Sequence, residues 1–143
     1  MIQLEPVGAT EKNLFKIKIL DKLVTTALEF GLKESGVIVT DQLKYILSNG
    51  PRTGRVYTIR GRKHQASAPG EPPAKLTGRL VQSIGYIASG AHTLQVGEEA
   101  EYAGYLERGT KRMAPRPHLK VAVDQTQTKV MQTLIKFIDE AHK

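Results

Sequence analysis

The chain has 143 residues and no cysteine, enough for one domain with a single core, and this excludes disulfides, thiolate metal sites and thiol nucleophiles. Its formal charge of +7 is uneven: residues 1–51 balance six Lys against six acids, whereas 52–79 hold seven basic residues against Glu71 alone, so polyanions or acidic protein surfaces are favoured neighbours unless the segment is a solvated loop. No apolar run approaches the ~20 residues that span a bilayer, and the opening MIQLEPVGATEKN lacks a secretory pattern, so a soluble intracellular product without membrane contact is expected.

Residues 14–19 (LFKIKI) alternate Phe15, Ile17 and Ile19 with Lys16 and Lys18, the period of a half-buried strand. Asp21 then stands as an N-cap in a helical pattern. Leu20, Val24, Leu28, Leu32, Val39, Leu43 and Ile46 recur at spacings near 3.6 and predict a long amphipathic helix over about 22–48, closed by Asn49-Gly50-Pro51. Gly31 and Gly36 each cost such a helix about 1 kcal/mol relative to Ala, and point to a bend or a close helix approach. Residues 55–60 (RVYTIR) have the β-branched and aromatic content of a strand. Residues 61–75 (GRKHQASAPGEPPAK) hold three prolines and two glycines and predict an extended basic arm that crosses a neighbour or faces a channel.

Thr77-Gly78-Arg79-Leu80 opens a short helix closed by Ser83. Tyr86–Ala88 and Thr93–Val96 flank the turn residues Ser89-Gly90-Ala91-His92 and predict a β-hairpin. Residues 101–108 (EYAGYLER) form a second short helix stopped by Gly109, and 112–117 (RMAPRP) an extended connector. Pro117 suits the first turn of a final helix to about residue 141, with Leu119, Val123, Val130, Leu134 and Ile138 as its buried stripe. The expected fold class is α+β: a small, mostly antiparallel sheet packed with two long helices (about 22–48 and 118–141) and two short ones. One domain covers 1–143, with no internal repeat.

Chemistry is sparse. His64, His92, His118 and His142 lack metal-ligand spacing, and each reads as a surface or loop histidine. Glu98, Glu99 and Glu101 read as a solvated turn, since catalytic carboxylates need burial and facing positions. Prolines in 68–73 remove the N–H donors a phosphate cradle needs, and Ser67 and Ser83 sit in no nucleophile elbow. No cofactor, metal or enzymatic activity is expected. Tyr57 and His64 among arginines leave room for non-specific nucleic-acid contact, without a zinc-finger or RNA-binding sheet motif.

Five short motifs in one order carry a resemblance. They are Gly54-Arg55-Val56-Tyr57; the run 66–73 (ASAPGEPP); Thr77-Gly78-Arg79-Leu80 with Ser83-Ile84; Tyr102-Ala103 with Leu106-Glu107-Arg108-Gly109-Thr110; and Arg116-Pro117-His118-Leu119. The set resembles the tail-component family of long-tailed double-stranded DNA bacteriophages and prophages, whose members join or complete the head–tail junction. It departs from that family at Arg108, where the family has an aromatic, and at His118, where it has Phe.

The resemblance implies a virion structural protein, assembled in the host bacterial cytoplasm as a homo-oligomeric ring of six subunits. That ring would be stacked between head-closure or adaptor proteins and tail-tube or tail-terminator proteins, with genome DNA passing through its lumen. Arg52, Arg55, Arg60, Arg62 and Lys63 are then expected to touch DNA without sequence preference or to form a seam between subunits. Thr77, Gly78, Leu80, Tyr102, Glu107, Gly109, Thr110, Arg116 and Pro117 are expected to be structural. Thr77 would cap the helix after it, Gly109 would adopt a positive φ, and Pro115 and Pro117 would fix the approach of the last helix. Glu107 would pair with an arginine, either Arg116 or one on the next subunit. The alternative, resting on charge, is a stand-alone basic DNA- or RNA-binding domain.

Overall fold

The computed structural model describes residues 2–6, 13–19, 25–90 and 92–141. The elements in chain order are β1 (Ile2–Pro6), β2 (Asn13–Ile19), α1 (Thr25–Asn49), β3 (Val56–Ile59), β4 (Arg62–Gln65), α2 (Arg79–Gln82), β5 (Ile84–Ala88), β6 (Thr93–Glu98), α3 (Ala103–Arg108) and α4 (Leu119–Ala141). A four-stranded antiparallel sheet runs β1-β2-β6-β5, and β3 and β4 form a separate hairpin. The α+β class with two long and two short helices therefore holds. Strand β1 had no sequence expectation. The N-cap at Asp21, the helical positions Leu20 and Val24, and His142 lie outside the described residues.

The alternation read in 14–19 runs in step with β6, where Phe15 stands opposite Val96 and Ile17 opposite Leu94, both partners being buried. Helix α1 packs on this sheet through β5 and β6, and α4 packs along α1. The core joins Leu28, Leu32, Val39, Leu43, Ile46 and Leu47 of α1 to Leu119, Ala122, Val123, Val130 and Leu134 of α4. Each such Leu or Val contributes roughly 1.5–3 kcal/mol relative to an exposed one. Helix α1 is unbroken from Thr25 to Asn49, and its two glycines serve close approach. A Cβ at Gly31 would lie 3.1 Å from Leu134 Cδ2, and one at Gly36 would lie 2.7 Å from Tyr86 Cγ and 2.8 Å from Leu94 Cδ2. Gly31 thus admits α4, and Gly36 admits the sheet.

The expected arm over 61–75 is corrected. Its first part is regular: Arg62–Gln65 pairs with β3, placing Val56 opposite Gln65 and Ile59 opposite Arg62. The connecting Arg60 and Gly61 have φ of 49° and 77°, positive at both central positions as a type I′ turn requires. Its second part folds back on the body: Ser67 is buried, and Gly70 N–H donates to the Pro115 carbonyl at 3.1 Å. Polar partners described below supply what the proline-rich composition lacks.

Arg60 occupies a left-handed conformation that crowds its Cβ against the backbone. Arg60→Asn, which creates the preferred Asn-Gly pair, is expected to stabilise the hairpin by about 0.5–1 kcal/mol. Slower amide hydrogen exchange confined to β3 and β4 checks this, and faster exchange there contradicts it.

Candidate functional site

Residues of four of the five motifs, spread over residues 66–116, line one cleft. The space is about 390 Å³, and its lining includes Ser67, Thr77, Gly78, Leu80, Tyr102 and Arg116. Gly54 joins from behind: its N–H donates to Ala66 O at 2.9 Å, and a Cβ there would lie 2.6 Å from Ser67 O.

Arg116 ties the wall together. Its Nη1 donates to the Ser67 carbonyl at 2.9 Å and to Ser67 Oγ, while its backbone N–H donates to Leu106 O at 2.7 Å. Glu71 secures the same segment by accepting from Ala68 N–H at 2.7 Å, Thr53 N–H at 3.1 Å and the Thr53 hydroxyl. The hydrogen bonds from Thr53 and Ala68 hold the Glu71 carboxyl below its usual range. Arg116→Ala is expected to cost about 1.5–3 kcal/mol, because the Ser67 carbonyl loses a charged donor. Protease cleavage should then concentrate within 66–71, and an unchanged digestion pattern would count against this anchoring role.

Two helix ends depart from or meet expectation. Thr77 does not cap α2 as expected: its hydroxyl reaches Arg79 N–H only at 3.4 Å, and Gly78 at φ 83° is the N-cap. Gly109 does take a positive φ, 74°, at the end of α3, with its N–H on Tyr105 O at 2.8 Å. Thr110 continues the turn by pairing with Met113 and accepting Arg112 N–H on its hydroxyl at 3.2 Å.

A buried charged cluster sits where β6, α3 and α4 converge, and it overturns three expectations. His118 is a core residue, not a surface one, with 0 % exposure, and Glu98 is 1 % exposed instead of solvated. Within the chain Glu107 pairs with His118 and not with Arg116. His118 Nε2 lies 3.0 Å from Glu98 Oε2, while Nδ1 lies 2.7 Å from Arg116 O and 3.0 Å from Glu107 Oε2. A backbone carbonyl only accepts, so Nδ1 carries a proton, and the Glu98 carboxylate requires one on Nε2. The ring is therefore an imidazolium.

Burial pushes the His118 pKa down, but hydrogen bonds to Glu107 and Glu98 and their charges outweigh it and raise it to about 10. Burial pushes Glu107 up, yet the His118 hydrogen bond and charge, with backbone donors, bring it down to about 2. Those donors are the His118, Leu119 and Lys120 N–H groups at 2.8, 3.1 and 2.9 Å. Glu107 of α3 thus caps the N-terminus of α4, placing negative charge at the positive end of the helix dipole. Both imidazole N–H groups are engaged, so the cluster clamps three elements and presents no free base. A signal for Glu98 was present: it continues the every-second-residue series of buried Leu94 and Val96 along β6. Glu99 and Glu101 are exposed, as expected.

The basic candidates gather elsewhere. Arg55, Arg60, Arg62 and Lys63 are exposed on the β3–β4 hairpin and its base, and their side chains have no hydrogen-bond or ion-pair partner among the described residues. Arg52 donates to Ser48 O at 3.2 Å at the end of α1. Beside the cations stand exposed Val56 (53 %), Tyr57 (48 %) and Ile59. An isolated two-stranded hairpin is marginal in water, and this one leaves its own apolar side chains uncovered.

Among the described residues no His, Cys, Asp and Glu group is arranged to hold a metal ion, and no helix is long and apolar enough to cross a membrane. Compared with known protein families, curated proteins and solved structures, the chain matches none.

Proposed function

We propose that the chain is a non-enzymatic structural subunit that assembles into a ring at the head–tail junction of a long-tailed DNA phage, between head-closure and tail-tube or tail-terminator proteins. The observation that carries this reading is the convergence of the motifs: four of them line one cleft, and hydrogen bonds join Gly54 to Ala66 and Arg116 to Ser67 and Leu106 across its wall. A shared structural framework of that kind supports reading the resemblance as a unit. The exposed basic hairpin adds a projecting element suited to a neighbouring subunit or to packaged DNA. Disrupting the reading frame in the phage or prophage that carries it is expected to leave DNA-filled heads and separate tails that do not join. Intact infectious particles from that mutant would sink the reading.

A stand-alone nucleic-acid-binding domain is the second reading, favoured by Tyr57 among the hairpin cations. It is identified by a monomer that binds random duplex DNA with a steep salt dependence.

A further inference from the structure

We infer that the β3–β4 hairpin of one subunit docks on the outward face of α1 in the next. This contact rests on the ring reading and names the surface that closes it.

Two surfaces of the chain are uncovered and chemically complementary. On α1, the centre of the solvent face carries Phe30, Glu34, Val37, Asp41 and Tyr45, spaced four, three, four and four residues apart, so they share one stripe. Phe30 is 58 % and Tyr45 62 % exposed, where a helix facing water alone would present polar residues. Glu34 and Asp41 are exposed and carry no hydrogen bond or ion pair among the described residues. The hairpin has the opposite make-up: apolar Val56, Tyr57 and Ile59 with Arg55, Arg60, Arg62 and Lys63, and no acid.

The dimensions match. Glu34 and Asp41 are seven residues apart, about 10 Å along the helix. A strand of four residues spans about 13 Å, so Arg55 and Arg62, which share the face of Tyr57 and Ile59, reach both acids while those two apolar side chains lie between Phe30 and Tyr45. Lys33, 5.9 Å from the Phe30 ring, and Lys44 border the stripe on one side, which directs the cationic hairpin toward the acids. Duplex DNA would satisfy the arginines but would leave Ile59 and the whole α1 stripe in water. A second copy covers both. Because the two patches differ, the contact is heterologous, and such contacts propagate head to tail into rings when the rotation closes.

The absence of native cysteine makes the test clean. Val37→Cys and Ile59→Cys chains, mixed and oxidised, are expected to give a mixed disulfide dimer well above either homodimer, and the chain carrying both changes a ladder of multimers. Glu34→Lys with Asp41→Lys, or Arg55→Glu with Arg62→Glu, is expected to weaken self-association at least ~10-fold. An equimolar mixture of those two variants should restore it, since copies can alternate with every contact complementary. Oligomers that form without the Val37–Ile59 link, or that ignore the charge reversals, overturn this contact and leave the ring standing. A chain that stays monomeric at every concentration overturns the ring reading and the contact with it.

Discussion

Replacing His118 by Phe alone is expected to lower the stability of the chain by about 3–5 kcal/mol, even though Phe is apolar and the site is in the core. The loss comes from Glu98, whose carboxylate would be left in the interior without its imidazolium partner. A double replacement, His118→Phe with Glu98→Leu, is expected to regain most of that loss, because an apolar pair has no charge to desolvate. Denaturant unfolding of the two singles and the double measures this as a coupling energy. A double variant no better than His118→Phe would show that packing, not charge, decides the site.

The same cluster sets a pH window. His118 is raised from 6.5 to about 10 on folding, so its contribution is complete below pH about 6.5 and fades as pH climbs toward 10. Glu107 is lowered from 4.5 to about 2, so its contribution is complete above pH about 4.5 and is lost as pH falls toward 2. Stability from this pair is therefore greatest between about pH 4.5 and 6.5 and declines on both sides. The double variant should lose the alkaline decline and keep only a weaker acid one, since backbone donors at the start of α4 still hold Glu107 once the His118 hydrogen bond and charge are gone. An unaltered alkaline limb would rule out His118 as its source.

Gly109→Val is the second large effect, expected to cost at least about 2 kcal/mol. Two causes add at this position. The φ of 74° disfavours any side chain, and a Cβ would meet the backbone at Met113 O (2.7 Å) and Pro115 N (2.8 Å), which cannot rotate aside. Gly109→Ala should share most of the loss because the first carbon already clashes. Moving Pro115 would also disturb Arg116 and its grip on Ser67. A melting midpoint equal to that of the unchanged chain would contradict the strain.

The long helices were legible because their stripes are continuous: Leu28, Leu32, Val39, Leu43 and Ile46 of α1, and Leu119, Val123, Val130 and Leu134 of α4, are all buried as read. The hairpin β5–β6 was legible from its turn residues. Strand β1 was not, because IQLEP carries little local signal and becomes a strand by pairing with β2, with Ile2 opposite Ile19. Strand β4 was hidden for a different reason. Its residues, RKHQ, have no strand preference, and what folds them back is an Arg-Gly turn instead of the usual Asn-Gly. In the site, the positive φ of Gly109 followed from a backbone rule that acts locally. The His118 cluster did not, since its polar groups are tolerable only because Glu98, on another element 20 residues away, faces them. The α1 stripe was not legible because Phe30 and Val37 fall outside the buried series.

Negative-stain electron microscopy of the purified chain at rising concentration tests most directly the proposal that it assembles with copies of itself. Closed rings of one size with a central hole are the predicted images. A field of compact single particles at every concentration would contradict the account.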